Sequence, residues 1–585
     1  MNIDQQTQER KSCMDAQAIV KDIFQTIPAR FRSADAPAGL RINVGFDIDG
    51  ACWTASIDGA SCMVHEGLKA GCIAVIRTGT EEWIGVASHS LDPVALFLAK
   101  KLSLEGDVDA VLSAMALIDA YHSDQVSVKD PSWVVDTLGN HFSVNEAGHF
   151  MIEGLSCVEL AGRFGTPLFV TSEGQLRENI RTMKAAFARA YPEKTVNVMW
   201  AIKSNTSLAF RKIMNQEGAG GDCFSPGEIY ATFITGADPA LFVLNGSDRS
   251  EEAFRMAVEI GMRITLDHMD DLEIVERLGK AYGKTCRCFI RVKCELNSLK
   301  DVYSTFAPGL KLPLEVRNLK FGVTYPEAVQ IGEASKACPH VTIEGIHSHI
   351  GRDVHLSEHW KGYAYDMVEV CSRFRKDTGI TASILDLGGG FAEKRDPSSH
   401  DLFRLAAPVS EYADKVAEGI RAGCRDFGFP LPELWIEPGR NLIGPTTVLI
   451  SRVGNVKRTP GVCTWVHTDG SCNILPSVER HNGMSYHLLV GTRARAEAQE
   501  LVDVVGPNCS GDLIQPRRRL PRMERGDLLV FLDVGAYNLV AANQFNSIPR
   551  PASVLVSGDI VDIVQERETI MDVFAHQRIP ARFLV

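Results

Sequence analysis

The chain has 585 residues, 45% of them hydrophobic and 23% charged, an ordinary globular composition with room for roughly two to four domains. Its 61 basic and 73 acidic side chains give a net charge of −12. That balance argues against a nucleic-acid partner or an anionic membrane surface, both of which select clustered basic charge.

The opening "MNIDQQTQERKSCMDAQAIV" lacks the apolar core of a signal peptide, and no run reaches the ~18 apolar residues of a membrane span. The 15 cysteines are scattered without a CxxC pair, so they read as reduced thiols and the expected location is cytoplasmic. Residues 1–15 are expected to be a tail. From 16 to 122 the text runs helix, strands, helix. "DAQAIVKDIFQTIPARF" has helical apolar spacing, and "RINVGFDIDG", "ACWTASIDG", "ASCMVHEG" and "GCIAVIRTG" alternate as an antiparallel sheet would. "EEWIGVASHS", "DPVALFLAKKLSLEG" and "DVDAVLSAMALIDAYH" then read as helical, completing a small α+β domain.

From about 195 to 437 apolar strands alternate with amphipathic helices. The strands are "VNVMWAIK", "GGDCFS", "LFVLNG", "RITLD", "CFIRVK", "VTIEGIH", "SILDLG" and "LWIEPG". Eight alternating units imply a closed (β/α)8 barrel; an open doubly wound sheet is the competing fold, but no GxGxxG follows the first strand. Such barrels place chemistry at the C-terminal ends of their strands. Lys203 ends the first strand, "DLGGG" (386–390) the seventh and "EPGR" (437–440) the eighth. Taken singly, the lysine could reach solvent and the glycines could form a tight turn. Together, a lysine facing converging backbone N–H groups and the Arg440 guanidinium describes a pyridoxal 5'-phosphate site.

From about 131 to 570 the chain resembles the fold-type-III amino-acid decarboxylases, especially those acting on diaminopimelate and ornithine. The resemblance is carried by "AIKSN" (201–205), "GGDCFSPGE" (220–228), "KFGV" (320–323), "GIHSHIG" (345–351), "LDLGGG" (385–390), "EPGR", "VVGPNCSGD" (504–512), "LDVGAY" (532–537) and "FNSIPRPASVLV" (545–556). It implies a homodimer in which residues 176–440 form the cofactor-binding barrel. A β-domain from both chain ends would complete it: 123–175, with early strands in "DPSWVVDTLGNHFSV" and "TPLFV", and 441–585. By the same resemblance Lys203 would hold the cofactor as an internal aldimine, Glu437 would face the pyridine nitrogen and His349 would stack on the ring. Gly388, Gly389, Gly390, Gly439, Arg440 and Tyr537 would hold the phosphate or the pocket around it. Asp222 would lie near the ring, or else serve only as a helix cap. Cys509 would protonate the product from the second subunit. A metal pair of His347 and His349 is not favoured, for want of further ligands at suitable spacing, and no metal is expected.

Three departures concern substrate. Ser510 stands where the family has an acidic residue, with the segment one residue short before Asp512. "DGSCNILPSVERHNG" replaces the usual arginine and tyrosine, placing Ser477, Arg480 and His481 there. Arg352 replaces a small polar residue. The candidate substrate contacts are therefore Arg440, Arg352, Ser477, Arg480, Ser510 and Tyr537. Residues 16–122 resemble the sterol-carrier-protein lipid-binding domain through "MVHEG" (63–67) and "SLDPVALFLAKKLSLEGD" (90–107), which implies a lipid or acyl ligand. The expected activity is amino-acid decarboxylation. A racemase on the same barrel and a non-catalytic lipid-binding scaffold are the alternatives.

Overall fold

The structure is a computed structural model that describes residues 4–31, 40–59, 61–87, 101–107, 131–293, 296–299, 320–352, 354–395, 406–460, 463–480 and 486–583, with isolated positions between 36 and 118. Its packing separates into two units, one built on residues 1–128 and the other on most of 129–585. Among the described residues no helix is long and apolar enough to cross a membrane.

In the first unit, helix α1 (Asp4–Arg30) begins eleven residues before the expected Asp15 start, so residues 4–15 of the predicted N-terminal tail are helical backbone. Strands β1 (Arg41–Ile48), β2 (Ala51–Asp58), β3 (Ser61–Glu66), β4 (Ala74–Thr78) and β5 (Leu102–Gly106) form one sheet in the order β3-β2-β1-β4-β5. Two expectations are corrected here. The sheet is mixed, because β1 and β4 pair in parallel, with helix α2 (Thr80–Ala87) following β4. "LSLEG" is a strand antiparallel to β4 rather than the end of a helix: its short alternation of Leu102 and Leu104 follows the two-residue period of a sheet face. Most of "DPVALFLAKK" and of "DVDAVLSAMALIDAYH" lies outside the described residues.

Apolar spacing on α1 buries Val20, Ile23, Phe24 and Ile27 against this sheet. Phe24 sits at the centre, stacked 4.4 Å from Trp53 and 5.4 Å from Trp83, with Phe46 edge-on at 5.1 Å.

The second unit contains the eight expected barrel strands. They are β10 (Val196–Ala201), β11 (Gly220–Cys223), β12 (Phe242–Leu244), β13 (Arg263–Leu266), β14 (Cys286–Arg291), β15 (Val341–His347), β16 (Ile384–Asp386) and β17 (Glu433–Ile436), all parallel, with β17 closing on β10. Short strands and local caps make each unit: Ser225 accepts from the Glu228 N–H to start the helix Pro226–Ile234, and Gly261, at φ 84°, ends the helix Glu251–Ile260. Met199, Val243, Phe289 and Ile384 come from alternate strands and pack with Trp435 to fill the interior, as the tilt of an eight-stranded barrel requires.

The β-domain has a nine-stranded sheet made from β18 (Thr447–Thr459), β19 (Cys463–Thr468), β20 (Leu488–Val490), β21 (Glu500–Val505), β22 (Leu513–Leu520), β23 (Leu528–Phe531), β24 (Ala552–Ser557), β25 (Ile560–Gln565) and one early strand, β9 (Leu168–Ser172). "TPLFV" thus supplies β9, wedged between β18 and β24. "DPSWVVDTLGNHFSV" does not join this sheet. Pro131–Thr137 is a 3-10 helix, and β6 (Phe142–Val144) pairs with β7 (Phe150–Ile152) and β8 (Leu155–Ser156) in a separate three-stranded sheet. A proline and the short apolar spacing around it favour the tight turn over a ladder.

Because Phe24 has three aromatic neighbours and no route to solvent, Phe24→Ala is expected to destabilise the first unit by about 3–5 kcal/mol. Urea unfolding followed by tryptophan fluorescence checks this; an unchanged transition would contradict the aromatic centre.

Candidate active site

Strand β10 runs out at Ala201, and Ile202–Ser204 turn through a single 3-10 turn that swings Lys203 into the barrel mouth. The turn is held from several sides. Ser204 Oγ donates to the Ala201 carbonyl, Trp200 Nε1 donates to Ser204 Oγ, and the Asn205 amide donates to the Gly535 carbonyl of the β-domain. The Lys203 side chain remains 35% exposed and donates from Nζ to Asp222 Oδ2 at 2.7 Å. Nζ also stands 4.2 Å over the Phe224 ring.

Asp222 is wholly buried on β11. Its other oxygen accepts from Asn245 Nδ2 at 2.7 Å, and the same amide donates to Glu437 Oε1 at 2.7 Å. The helix-cap reading of Asp222 falls, since Ser225 caps the following helix. Glu437, just past β17, faces His347 Nε2 at 3.5 Å. Asp386, at the end of β16, accepts the Gly388 N–H at 2.8 Å. His347, Asp386 and Glu437 bring one ligand atom each within 4.8 Å of one another, so strand pairing places around His347 the further ligands that sequence spacing did not offer a His347–His349 pair, and His349 is not in the group. Two of these groups are already held by the Asn245 amide and the Gly388 N–H, and we assign the trio no ion.

These charges set one another's protonation. Burial disfavours the Lys203 ammonium, but Asp222 and Glu437 outweigh it and hold the pKa above its ordinary value. Burial also opposes the Glu437 carboxylate, yet His347 and Lys203 pull its pKa down. Asp386 goes the other way, pushed well above the carboxylate range by burial and by the neighbouring Glu437 charge. Burial, then Arg291 and Lys203, drive the His349 pKa down to about 3. Geometry agrees: His349 Nδ1 accepts the Gly351 N–H at 3.0 Å, which requires a lone pair there and leaves the ring proton on Nε2.

The glycines lie where side chains have no room. A Cβ on Gly389 would fall 2.2 Å from the Glu437 carbonyl oxygen, and Gly390, at φ 111°, would place one 2.4 Å from that of Gly351. Gly388 lies at φ 65°. Gly439 faces Ala201 and the Tyr537 hydroxyl, and the buried Arg440 guanidinium stacks 4.9 Å over the Tyr537 ring. Lys203, Asp222, His349, Glu437, the glycine run, Gly439, Arg440 and Tyr537 therefore share one mouth.

The other candidates stand differently. Ser477 is completely buried, its Oγ donating to the Tyr537 carbonyl at 3.5 Å, so it supports Tyr537 from behind rather than lining open space. Arg352 is exposed on the turn after β15. Cys509 and Ser510 are exposed on the loop between β21 and β22. Buried Asp512 shapes that loop by accepting from the Cys472 and Asn508 N–H groups, while the Cys509 N–H donates to Asn546 Oδ1. The Arg480 side chain and His481 lie outside the described residues. Sequence reasoning missed Asn245 and Asp386; the available signal was that Asp386 ends a barrel strand and Asn245 directly follows one.

Residues 173–444 match the family model described as pyridoxal-dependent decarboxylase, pyridoxal binding domain. The chain is 32% identical to the diaminopimelate decarboxylase of Methanothermobacter thermautotrophicus over 442 residues, 75% of this chain and 98% of that protein. It is also 32% identical to the Archaeoglobus fulgidus diaminopimelate decarboxylase, covering 99% of it. The chain belongs to the fold-type-III pyridoxal-dependent decarboxylases. The crystal structure of the M. jannaschii diaminopimelate decarboxylase superposes with a TM-score of 0.68 at 26% identity, covering 76% of this chain and 99% of that one. As a member of this family the protein is a pyridoxal-phosphate-dependent amino-acid decarboxylase. The mouth fits that cofactor: a partly exposed lysine, a run of glycines packed so closely on the Ser348, Glu437 and Gly351 carbonyls that no side chain can stand there, and buried acidic and imidazole groups beside it.

The depressed His349 pKa has a thermodynamic consequence. As pH falls from about 6.5, the unfolded chain takes up a proton that folded His349 refuses until about pH 3, so stability declines through that window. His349→Gln is expected to flatten this part of the pH–stability curve, measured by denaturant unfolding between pH 4 and 7. An unchanged slope would show that His349 is not held neutral.

Proposed function

We propose that Lys203 is the attachment point for pyridoxal 5'-phosphate, that Glu437 faces its ring nitrogen and His349 its ring face, and that Cys509 delivers a proton from the second subunit of a homodimer. When bound, the cofactor supplies an electron sink for the bond broken at Cα. The protein's own groups do the rest. Lys203, held as an ammonium, has the Asp222 carboxylate 2.7 Å away to take the proton that Nζ must lose before it can attach the cofactor. Glu437, held anionic, keeps a proton at the atom it faces, and neutral His349 offers a flat apolar face without adding charge. Gly389, Gly390, Gly439 and Arg440 supply donors for a phosphate, with Tyr537 bracing Arg440, while Gly388 gives its own N–H to Asp386 and shapes the turn. The observation that carries this reading is the 2.7 Å Lys203–Asp222 pair at the end of β10. The exposure of Cys509, on a loop pinned by Asp512, leaves its thiol available to a neighbouring subunit.

For the substrate we propose an amino acid whose distal group is larger than, or more anionic than, that of diaminopimelate or ornithine. Ser510 offers no charge for a distal ammonium, whereas the exposed Arg352 can meet an anion. The first unit is proposed as a lipid-carrier-like domain for an acyl or sterol ligand, and the whole protein as cytoplasmic.

Lys203→Ala is expected to abolish turnover and the visible absorbance of the purified protein; a variant that turns over at the wild-type rate refutes the assignment. Mixing Lys203→Ala with Cys509→Ala under subunit exchange is expected to restore part of the activity, and no recovery counts against a composite dimer site. In a screen for CO2 release, meso-diaminopimelate and L-ornithine are expected to show kcat/KM roughly 10⁴-fold below the preferred substrate. Efficient turnover of either would sink the specificity proposal.

A further inference from the structure

Asn245 was not among the residues expected at the site, and neither the glycine cradle nor the lysine calls for it. It directly follows β12, where its backbone N–H donates to the Cys223 carbonyl, fixing the side chain's origin. Wholly buried, it donates one amide hydrogen to Asp222 and the other to Glu437, both at 2.7 Å. Its Oδ1 is buried without a partner among the described residues. Turning the amide over would satisfy nothing: it would set Oδ1 against two carboxylates. An amide that leaves its carbonyl bare in order to bridge two acids is placed for the acids.

We propose that Asn245 is a positioning residue that couples the lysine end of the cofactor site to its ring-nitrogen end. The chain Lys203–Asp222–Asn245–Glu437 spans β10, β11, β12 and β17 without interruption. By donating to both acids, Asn245 holds them at a fixed separation and favours their charged forms, against the burial and the Glu437 charge that push the Asp222 carboxyl up. This inference rests on the proposed roles of Lys203 and Glu437 and adds the element that fixes them relative to each other.

The test compares Asn245→Leu and Asn245→Asp in the full-length protein, by equilibrium dialysis against pyridoxal 5'-phosphate at pH 6 and pH 9. The leucine removes both donors, and affinity is expected to fall about tenfold or more at both pH values. The aspartate can donate only while protonated. Its carboxyl would face Asp222 and Glu437, with Asp386 and Glu228 beyond them, and these acids raise its pKa; Lys203 and His347 oppose them. Affinity is therefore expected to be retained best at pH 6 and to drop about tenfold or more by pH 9, a larger change than in the wild type. If both variants are weakened equally at each pH, Asn245 serves packing alone and the proposal is overturned. Wild-type affinity in either variant at both pH values overturns it as well. The Lys203 assignment is read separately: a visible band that survives in Lys203→Ala removes that assignment whatever the Asn245 variants do.

Discussion

Three buried carboxyl groups, those of Asp222, Asp386 and Glu437, lie close together in the mouth of a closed barrel, and the surrounding chemistry is arranged to make their company tolerable. Isolated buried carboxylates are costly, and each here meets a different solution. Asp222 has an ammonium and an amide. Glu437 has the same amide and an imidazole. Asp386, with a backbone N–H and no cation of its own, is driven toward its protonated form. The lysine at the end of the first strand is one of the counter-charges that let this acid cluster fold.

The barrel itself was plainly written in the chain. Eight apolar runs, each ended by a polar or glycine-rich stop, matched β10 to β17, because parallel strands covered on both faces are apolar throughout and their ends must change character abruptly. Lys203, Glu437 and the three glycines were legible for the same reason. Asn245 was not. An asparagine before a glycine reads as an ordinary turn, and nothing local says that a strand three positions around the barrel will carry a glutamate to meet it. Asp386 was hidden inside the glycine motif that drew attention to its neighbours.

Outside the barrel the reading was less complete, and the reasons are physical. "LSLEG" is too short for the two- and 3.6-residue periods to be told apart, and only its pairing with β4 makes it a strand. The parallel pairing of β1 and β4 is a matter of topology, which alternation cannot report. Ser477 is polar and lies near the expected substrate contacts in sequence, but its hydroxyl is turned inward to the Tyr537 backbone. Position along the chain located the neighbourhood and said nothing about direction.

Strand β9 has a consequence for how the protein is made. It lies between β18 and β24, yet it leaves the ribosome hundreds of residues before either of them. Throughout synthesis of the barrel, the apolar "LFVTS" strand must wait with both hydrogen-bonding edges bare, the kind of unpaired edge that invites non-native association. The buried Arg395–Asp533 ion pair likewise joins a residue of the barrel to one that emerges much later. The β-domain is thus assembled only when translation nears its end, and a truncated or stalled product exposes a sticky edge in place of a finished sheet.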